Sequence, residues 1–317
     1  MMAGSSLLLL LDDIAAVLDD VATMTKVAAK KTAAVLGDDL AVNAEKVSGV
    51  RAERELPVVW AVAKGSFRNK LILVPAALAI SAVIPWLITP LLMLGGVYLC
   101  FEGFESLVHK FFPTPEDVRQ RHDRSDTLAD PAVNLVEFEE KKIKGAIRTD
   151  MILSGEIIVI TLGIVAESNF LTQVVVVSVI AFTMTVGVYG LVAGIVKLDD
   201  AGLYLIQKTG AGAWRRFLRW FGLRLVNFAP VLMKGLAVVG TVAMFMVGGG
   251  ILVHGLHPLQ LAIDQIAVQL GAVEIAGASL QAIAPLLLST LCGVVVGALA
   301  VGGVSAWSAL RRRRSTA

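Results

Sequence analysis

Long apolar runs separated by short charged stretches dominate the chain from residue 63 to its end. A bilayer-spanning helix needs roughly 20 apolar residues, and six of these runs meet or approach that length. The six runs cover residues 70–86, 88–108, 151–167, 173–196, 226–253 and 285–309. Because they follow one another in pairs, the pattern predicts an all-α membrane domain over residues 63–317, with six transmembrane helices arranged as three hairpins.

The first 62 residues have a different pattern, in which apolar residues recur at helical spacing among charged ones. The apolar positions are Leu7, Leu10, Ile14, Val17, Val21, Met24 and Ala28. Gly37 is a typical helix stop, so we predict an amphipathic helix over residues 6–35 and a short one over 38–48. The stripe is too interrupted to span a bilayer. We expect this cytoplasmic segment, residues 1–62, to pack on the membrane domain or in a subunit contact of a homo-oligomer.

The positions of the basic residues predict the orientation of the membrane domain. Four segments contain 27 of the 28 lysines and arginines, namely residues 1–70, 109–150, 197–224 and 311–317. Basic residues concentrate in the cytoplasmic parts of membrane proteins, so both termini and the loops 109–150 and 197–224 are predicted to be cytoplasmic. The basic residues are expected to contact anionic lipid rather than nucleic acid.

The connection over residues 254–284 is then the longest outer segment. It has two interpretations, an amphipathic helix at the outer surface or a partly re-entrant segment.

Composition supports the membrane assignment and gives no sign of an enzyme. Hydrophobic residues make up 56% of the chain, whereas soluble domains are nearer 45–50% apolar. Cys100 and Cys292 both lie inside apolar runs, where cysteines usually act as small buried hydrophobic residues. No nucleophile–base pattern or metal-ligand spacing occurs, so we expect no catalytic residue, no cofactor and no metal site.

Three ionisable residues inside the predicted spans are the candidate functional residues. Glu102, Glu156 and Lys234 each lie a few turns from the cytoplasmic end of a span, at a depth of ~9–13 Å at 1.5 Å per residue. Glu105 lies one turn from Glu102. Charged side chains in hydrocarbon are costly and usually face a bundle interior, so these four residues are predicted to form a ligand-binding site. The alternative is structural: Lys234 pairs with one glutamate, and Glu102 and Glu105 extend toward the headgroups.

Two functions remain open from these patterns. The first is transport of a small solute or ion through a helix-bundle core that Glu102, Glu156 and Lys234 line. The second is a non-catalytic membrane scaffold that uses its N-terminal helices to hold a partner or another copy of the chain.

Three long stretches of the sequence resemble a known family. They are LLDDIAAVLDDV, KKTAAVLGDDLAVNAEKVSGVRAERELPVVWAVAKGSFRNKLILVP and PWLITPLLMLGGVYLCFEG. They are similar to the YedI-type bacterial inner-membrane proteins, a family defined by a domain of unknown function. The resemblance implies a multi-pass protein of the bacterial inner (cytoplasmic) membrane. It implies no activity, substrate or catalytic residue.

Overall fold

The computed structural model describes residues 3–47, 54–111, 131–207, 212–271 and 277–315. Within these ranges it is all-α, as predicted, with nine α-helices and no strand. The helices are α1 (Ala3–Val47), α2 (Glu55–Val83), α3 (Ile88–Phe111), α4 (Pro131–Ile164), α5 (Phe170–Val196), α6 (Leu198–Gln207), α7 (Ala213–Gly255), α8 (His257–Gly271) and α9 (Gly277–Ser315). A short 3₁₀ turn, Pro85–Leu87, joins α2 to α3.

Five stretches of this helical structure are long and apolar enough to cross a membrane. They are Glu55–Val83, Pro85–Val108, Phe170–Val196, Ala213–Gly255 and Gln281–Trp307. The chain is therefore a polytopic helical membrane protein by length and composition. The predicted span 151–167 lies largely on α4, which is not among the five because charged residues crowd its first half. The number six thus stays a prediction.

The helices pack as two bundles. The helices of the second and third predicted hairpins contact each other, whereas those of the first hardly do. α2 packs mainly against α4 and α5, and we call these three helices the first bundle. α3 packs mainly against α7 and α9, which form the second bundle. α2 and α3 touch each other only slightly, so the first predicted hairpin opens at the Pro85–Leu87 turn. Proline lacks the amide hydrogen that would continue a helix, and the two helices leave this turn toward different neighbours.

α1 lies between the two bundles and contacts α4, α5 and α7. Ala28 belongs to a buried apolar cluster with Val165 and Val176, which flank the turn between α4 and α5. Val47 belongs to another cluster with Val59, near the start of α2. At 1.5 Å per residue the helix from Ala28 to Val47 is about 28 Å long, close to the ~30 Å thickness of a bilayer's hydrocarbon core. α1 therefore runs beside most of α5 and the C-terminal part of α4.

This placement corrects the predictions for the N-terminal segment. The two expected helices, 6–35 and 38–48, are one continuous helix, and Gly37 lies inside it with open space beside its Cα. The helix packs between the bundles and not on one face of the membrane domain, and the expected boundary at residue 62 falls inside α2. The predicted stop at Gly37 is wrong because glycine is tolerated inside a helix at a modest cost, and the buried face continues beyond it with Asp39, Ala41 and Asn43.

The outer segment 254–284 contains α8, which packs on α9 and lightly on α7. Ile263 and Ala267 are its buried side chains. Residues 272–276 lie outside the described ranges, and the choice between a surface and a re-entrant segment stays open.

Glycines bring the helices of the second bundle into close contact. A Cβ on Gly249 of α7 would overlap the main-chain oxygen of Ser289 on α9, and a Cβ on Gly293 of α9 would overlap that of Phe245 on α7. A Cβ on Gly297 of α9 would likewise overlap the main-chain oxygen of Cys100 on α3. Small residues allow such close backbone approach between membrane helices.

Candidate functional site

A group of polar side chains is buried where α1 meets the first bundle. Its members come from four helices: Asp39 and Asn43 on α1, Ser66 and Lys70 on α2, Asp150 and Ser154 on α4, and Tyr189 on α5. We call this group the buried ionic cluster. The apolar clusters of Ala28 and Val47 lie on either side of it along α1. Charged groups are therefore enclosed between two apolar clusters.

Tyr189 links α1 to α4 within this cluster. Its hydroxyl lies 2.9 Å from Asn43 Oδ1 and 2.9 Å from Asp150 Oδ1. A hydroxyl carries a single proton, so it donates to one of these two oxygens at a time. The arrangement can therefore switch its hydrogen bond between α1 and α4 without any movement of the backbone.

Asp150 and Lys70 form the ion pair of the cluster. Lys70 Nζ lies 3.7 Å from Asp150 Oδ1 and donates a hydrogen bond to Ser66 Oγ at 2.9 Å. The Ser154 hydroxyl donates to the second carboxylate oxygen of Asp150 at 3.3 Å. Both Lys70 and Asp150 are almost fully buried. Removing two charges from water costs several kcal/mol per ion, roughly as much as their attraction returns.

Asp39 is the cluster's second carboxyl group, and it lacks a partner of its own. Its side chain is 5% exposed, and its buried Oδ1 atom has no hydrogen-bond partner in the described structure. Asn43 donates to the main-chain oxygen of Asp39 at 2.9 Å, not to its side chain. With Asp39 and Asp150 ionised, the single lysine of the cluster would leave one negative charge uncompensated.

Glu102 connects α3 of the second bundle to α1 and to α4 of the first. Its Oε1 lies 2.8 Å from Lys46 Nζ on α1, and its Oε2 accepts a hydrogen bond from the Thr149 hydroxyl on α4 at 2.9 Å. Only 15% of the Glu102 side chain and 13% of the Lys46 side chain are exposed. Thr149 directly precedes Asp150, so this bridge adjoins the buried ionic cluster.

The residues predicted from the sequence do not form one site. Glu105 is exposed, and Lys234 is exposed on α7. No hydrogen bond or ion pair joins Lys234 to Glu102 or to Glu156 in the part of the chain that the structure describes. Glu156 lies in the interior with a buried Oε2 that lacks a hydrogen-bond partner in the described ranges. Glu102, Glu156 and Lys234 have similar predicted depths, but their side chains do not face one another.

The sequence pattern predicts other roles for the residues that meet in the buried ionic cluster. Lys70 belongs to the basic residues predicted to be cytoplasmic, and Asp150 lies one residue before a predicted span. Asp39 lies beyond the expected helix stop at Gly37. A signal was present nonetheless, because Thr32, Asp39 and Asn43 continue the stripe of Ala28 at helical spacing. The buried face of a helix can contain polar residues, as it does in this part of α1.

A second set of charged groups lies near the start of α2. Arg54 donates three hydrogen bonds to the buried carboxylate of Glu139 on α4, the shortest at 2.9 Å. This hydrogen-bonded carboxylate raises the pKa of Arg54 above its usual value. On the same helix, burial lowers the pKa of Lys142, against the opposing effect of the Glu45 carboxylate. The Arg54–Glu139 ion pair holds the start of α2 against the N-terminal part of α4.

Comparison with known proteins gives one match. A family model described as "Protein of unknown function (DUF808)" matches residues 5–302, so the match includes α1 and every helix of both bundles. No curated protein and no solved structure matches the chain. Functional inference therefore depends on the chain's own residues.

Proposed function

The chain belongs to the DUF808 family of proteins of unknown function, and we propose that it transports a small cation across the bacterial inner membrane. The observation that carries this proposal is the buried ionic cluster, which lies between α1 and a bundle of membrane helices. Ionisable residues inside membrane domains are rare and usually belong to ion or proton pathways. A cluster with two carboxyl groups and one lysine favours a cation over an anion.

Energetics also support a functional role for the cluster. A buried ion pair is weak support for stability, because apolar side chains of similar volume often serve as well. The second bundle holds its helices together mainly with glycines and apolar side chains. Since that means of packing is used in the same molecule, Lys70 and Asp150 are not needed merely to join helices.

The two-bundle arrangement supports a mechanism of alternating access. Transporters commonly move one bundle against another around a site near the bilayer midplane. Here Glu102 joins α3 to Lys46 and Thr149, so its bonds are the polar contacts that such a movement would break and remake. α1 lies along this junction and carries both Asp39 and Lys46.

The scaffold alternative has less support. It requires the N-terminal apolar stripe to be free for a partner, yet Val21, Met24 and Ala28 pack against the chain's own helices.

α1 also enters the proposed topology as a membrane-crossing helix. Ala28 and Val47 of α1 lie beside opposite ends of α5, in clusters with Val176 and Val196 respectively. With the α4–α5 turn outside and the C-terminus cytoplasmic, the N-terminus is then outside, opposite to the orientation that the basic residues predict. Three lysines, Lys26, Lys30 and Lys31, would then lie toward the outer face. This is against the general tendency of basic residues to be cytoplasmic.

Cysteine labelling tests this topology directly. A variant with Cys100 and Cys292 changed to alanine receives one new cysteine, either Thr23→Cys on α1 or Arg219→Cys on α7; both positions are exposed. A membrane-impermeant maleimide should label Thr23→Cys in intact spheroplasts and Arg219→Cys only in inverted vesicles. Labelling of Thr23→Cys only in inverted vesicles would place the N-terminus in the cytoplasm.

Ion flux tests the transport proposal. The protein is reconstituted into liposomes that contain a pH-sensitive dye, and inward gradients of H⁺, Na⁺ or K⁺ are imposed with the membrane potential clamped. At least one gradient should change the internal pH faster than in protein-free liposomes, and Asp150→Asn should remove the difference. If every gradient gives the protein-free rate, cation transport coupled to protons is wrong.

A further inference from the structure

Asp39 on α1 is a buried carboxyl group without a counter-ion of its own. An ionised carboxylate carries a negative charge that must be compensated, whereas a protonated carboxyl group is neutral. Buried polar atoms nearly always have a partner, yet Asp39 Oδ1 is buried without one in the described ranges. An isolated buried charge is costly enough that such groups usually become neutral instead.

The charged groups around Asp39 do not supply a counter-ion of its own. Those that act on it are Asp38 on α1, Lys70 on α2, and Asp150 and Glu156 on α4. Lys70 is held by Asp150 and Ser66. The titratable group of α5 is Tyr189, which is bound to Asn43 and Asp150. α7 faces this part of α1 with Gly240 and Ala243, which do not titrate.

We infer that Asp39 is the proton-binding residue of the buried ionic cluster, which makes the proton the cation of the proposed transport. The single unpartnered oxygen fits a proton, because one oxygen is all that a proton requires. A metal cation needs several oxygen ligands around it; Ca²⁺, for example, takes six to eight. The step is a simple protonation, in which the carboxylate gains H⁺ and becomes a carboxylic acid.

Protonation of Asp39 would change the charge of the cluster at the place where α1 separates the bundles. With the proton bound, Lys70 and Asp150 balance each other and the cluster is neutral. Without it the cluster carries one negative charge in a buried position, which favours hydration of α1 or its movement toward water. Binding and release of a proton are thereby linked to the packing of α1 against both bundles.

Infrared spectroscopy of the full-length protein in lipid tests the protonation itself. Difference spectra between acidic and alkaline buffer should contain the carbonyl band of a protonated carboxylic acid. Labelling all aspartates with ¹³C should shift this band, which assigns it to aspartate rather than to Glu156. The band should disappear in Asp39→Asn and persist in the matched neighbour variant Asp38→Asn. A band that ignores the label, persists in Asp39→Asn, or is absent from the wild type would overturn the inference.

Folding of the variants does not limit this test. If Asp39→Asn fails to fold, the labelled wild type still distinguishes aspartate from glutamate. The variant Asp39→Glu, which keeps a carboxyl group, then assigns the band. In protein with ¹³C-labelled aspartate the band of this variant should lose its isotope shift, and a band that keeps the shift would overturn the assignment.

The role of Asp39 as the site of the transported proton rests on the proposed function, but the protonation of Asp39 and the transport can each be disproved separately. A band from Asp39 without any flux would leave the proton site in place and reject transport. Flux without a protonated Asp39 would keep cation transport and reject Asp39 as the proton site.

Discussion

The contact of α1 with the first bundle and the contacts within the second bundle are two different ways to join helices in one molecule. The first contains an ion pair, a bridging tyrosine and an unpartnered carboxyl group, all buried. The second relies on glycines that let backbones touch, and Ser289 is the buried polar side chain described there. Because the second contact holds without charges, the charges of the first are better explained by function than by assembly.

Overpacking the second bundle should have the largest effect on folding. In Gly249→Ala the new methyl group would overlap a main-chain oxygen of α9, which cannot move as a side chain can. Overpacking costs about 1–3 kcal/mol and occasionally more. Because main-chain atoms would have to move here, we expect a loss at or above the upper end of that range, seen as a lower melting temperature and less monodisperse protein in detergent.

The adjacent glycine provides the control for that change. A Cβ at Gly250 meets nothing within 4 Å, so Gly250→Ala should match or slightly exceed the wild type in stability. Equal melting temperatures for the two variants would mean that the close contact of α7 and α9 is not essential.

Removing the hydroxyl of Tyr189 should weaken the α1 contact by a smaller amount. Tyr189→Phe removes the one donor that the buried oxygens Asn43 Oδ1 and Asp150 Oδ1 share, which costs about 1–3 kcal/mol. Thermal unfolding should show this loss, whereas Tyr98→Phe should change little. The Tyr98 hydroxyl has one long contact, 3.4 Å from Arg148, in an exposed position. A Tyr189→Phe protein as stable as Tyr98→Phe would argue against a bridging role.

Substitutions of Glu102 and Lys234 distinguish the contacts seen in the structure from the site predicted by sequence. Glu102→Gln weakens the contact with Lys46 and should lower the melting temperature, by about 1 kcal/mol or more for a charge-assisted hydrogen bond. Lys234→Gln changes an exposed residue and should stay within ~0.5 kcal/mol of the wild type. A larger effect from Lys234→Gln than from Glu102→Gln would favour the original prediction.

The smallest expected effect concerns lipid at the start of α7. Trp214, Trp220, Arg216 and Arg219 are exposed there, and aromatic and basic residues of this kind are typical of the membrane interface. Each basic residue near an anionic surface contributes roughly 1 kcal/mol. Added phosphatidylglycerol should therefore raise the melting temperature of the wild type more than that of Arg216→Gln/Arg219→Gln. Lys144→Gln, on an exposed lysine already paired with Glu140, is the control and should respond like the wild type.

The sequence predicted the helical class and the positions of most apolar helices, because long apolar runs are a direct signal. It did not predict that α2 and α3 would join different bundles, since apolar composition does not say which neighbour a helix face meets. The site was missed for a related reason. Burial of Asp39, Lys70 and Asp150 depends on contacts among three helices far apart in sequence, whereas Lys234 looked buried only because its surroundings are apolar.

The most direct test compares proton-coupled flux for one variant from each region. Asp150→Asn alters the buried ionic cluster, and Gly250→Ala alters α7 at a position with open space. Both are reconstituted as folded, monodisperse protein beside the wild type. Our account predicts that Asp150→Asn falls to the protein-free rate while Gly250→Ala keeps the wild-type rate. A wild-type rate in Asp150→Asn would contradict the claim that the buried ionic cluster is the transport site.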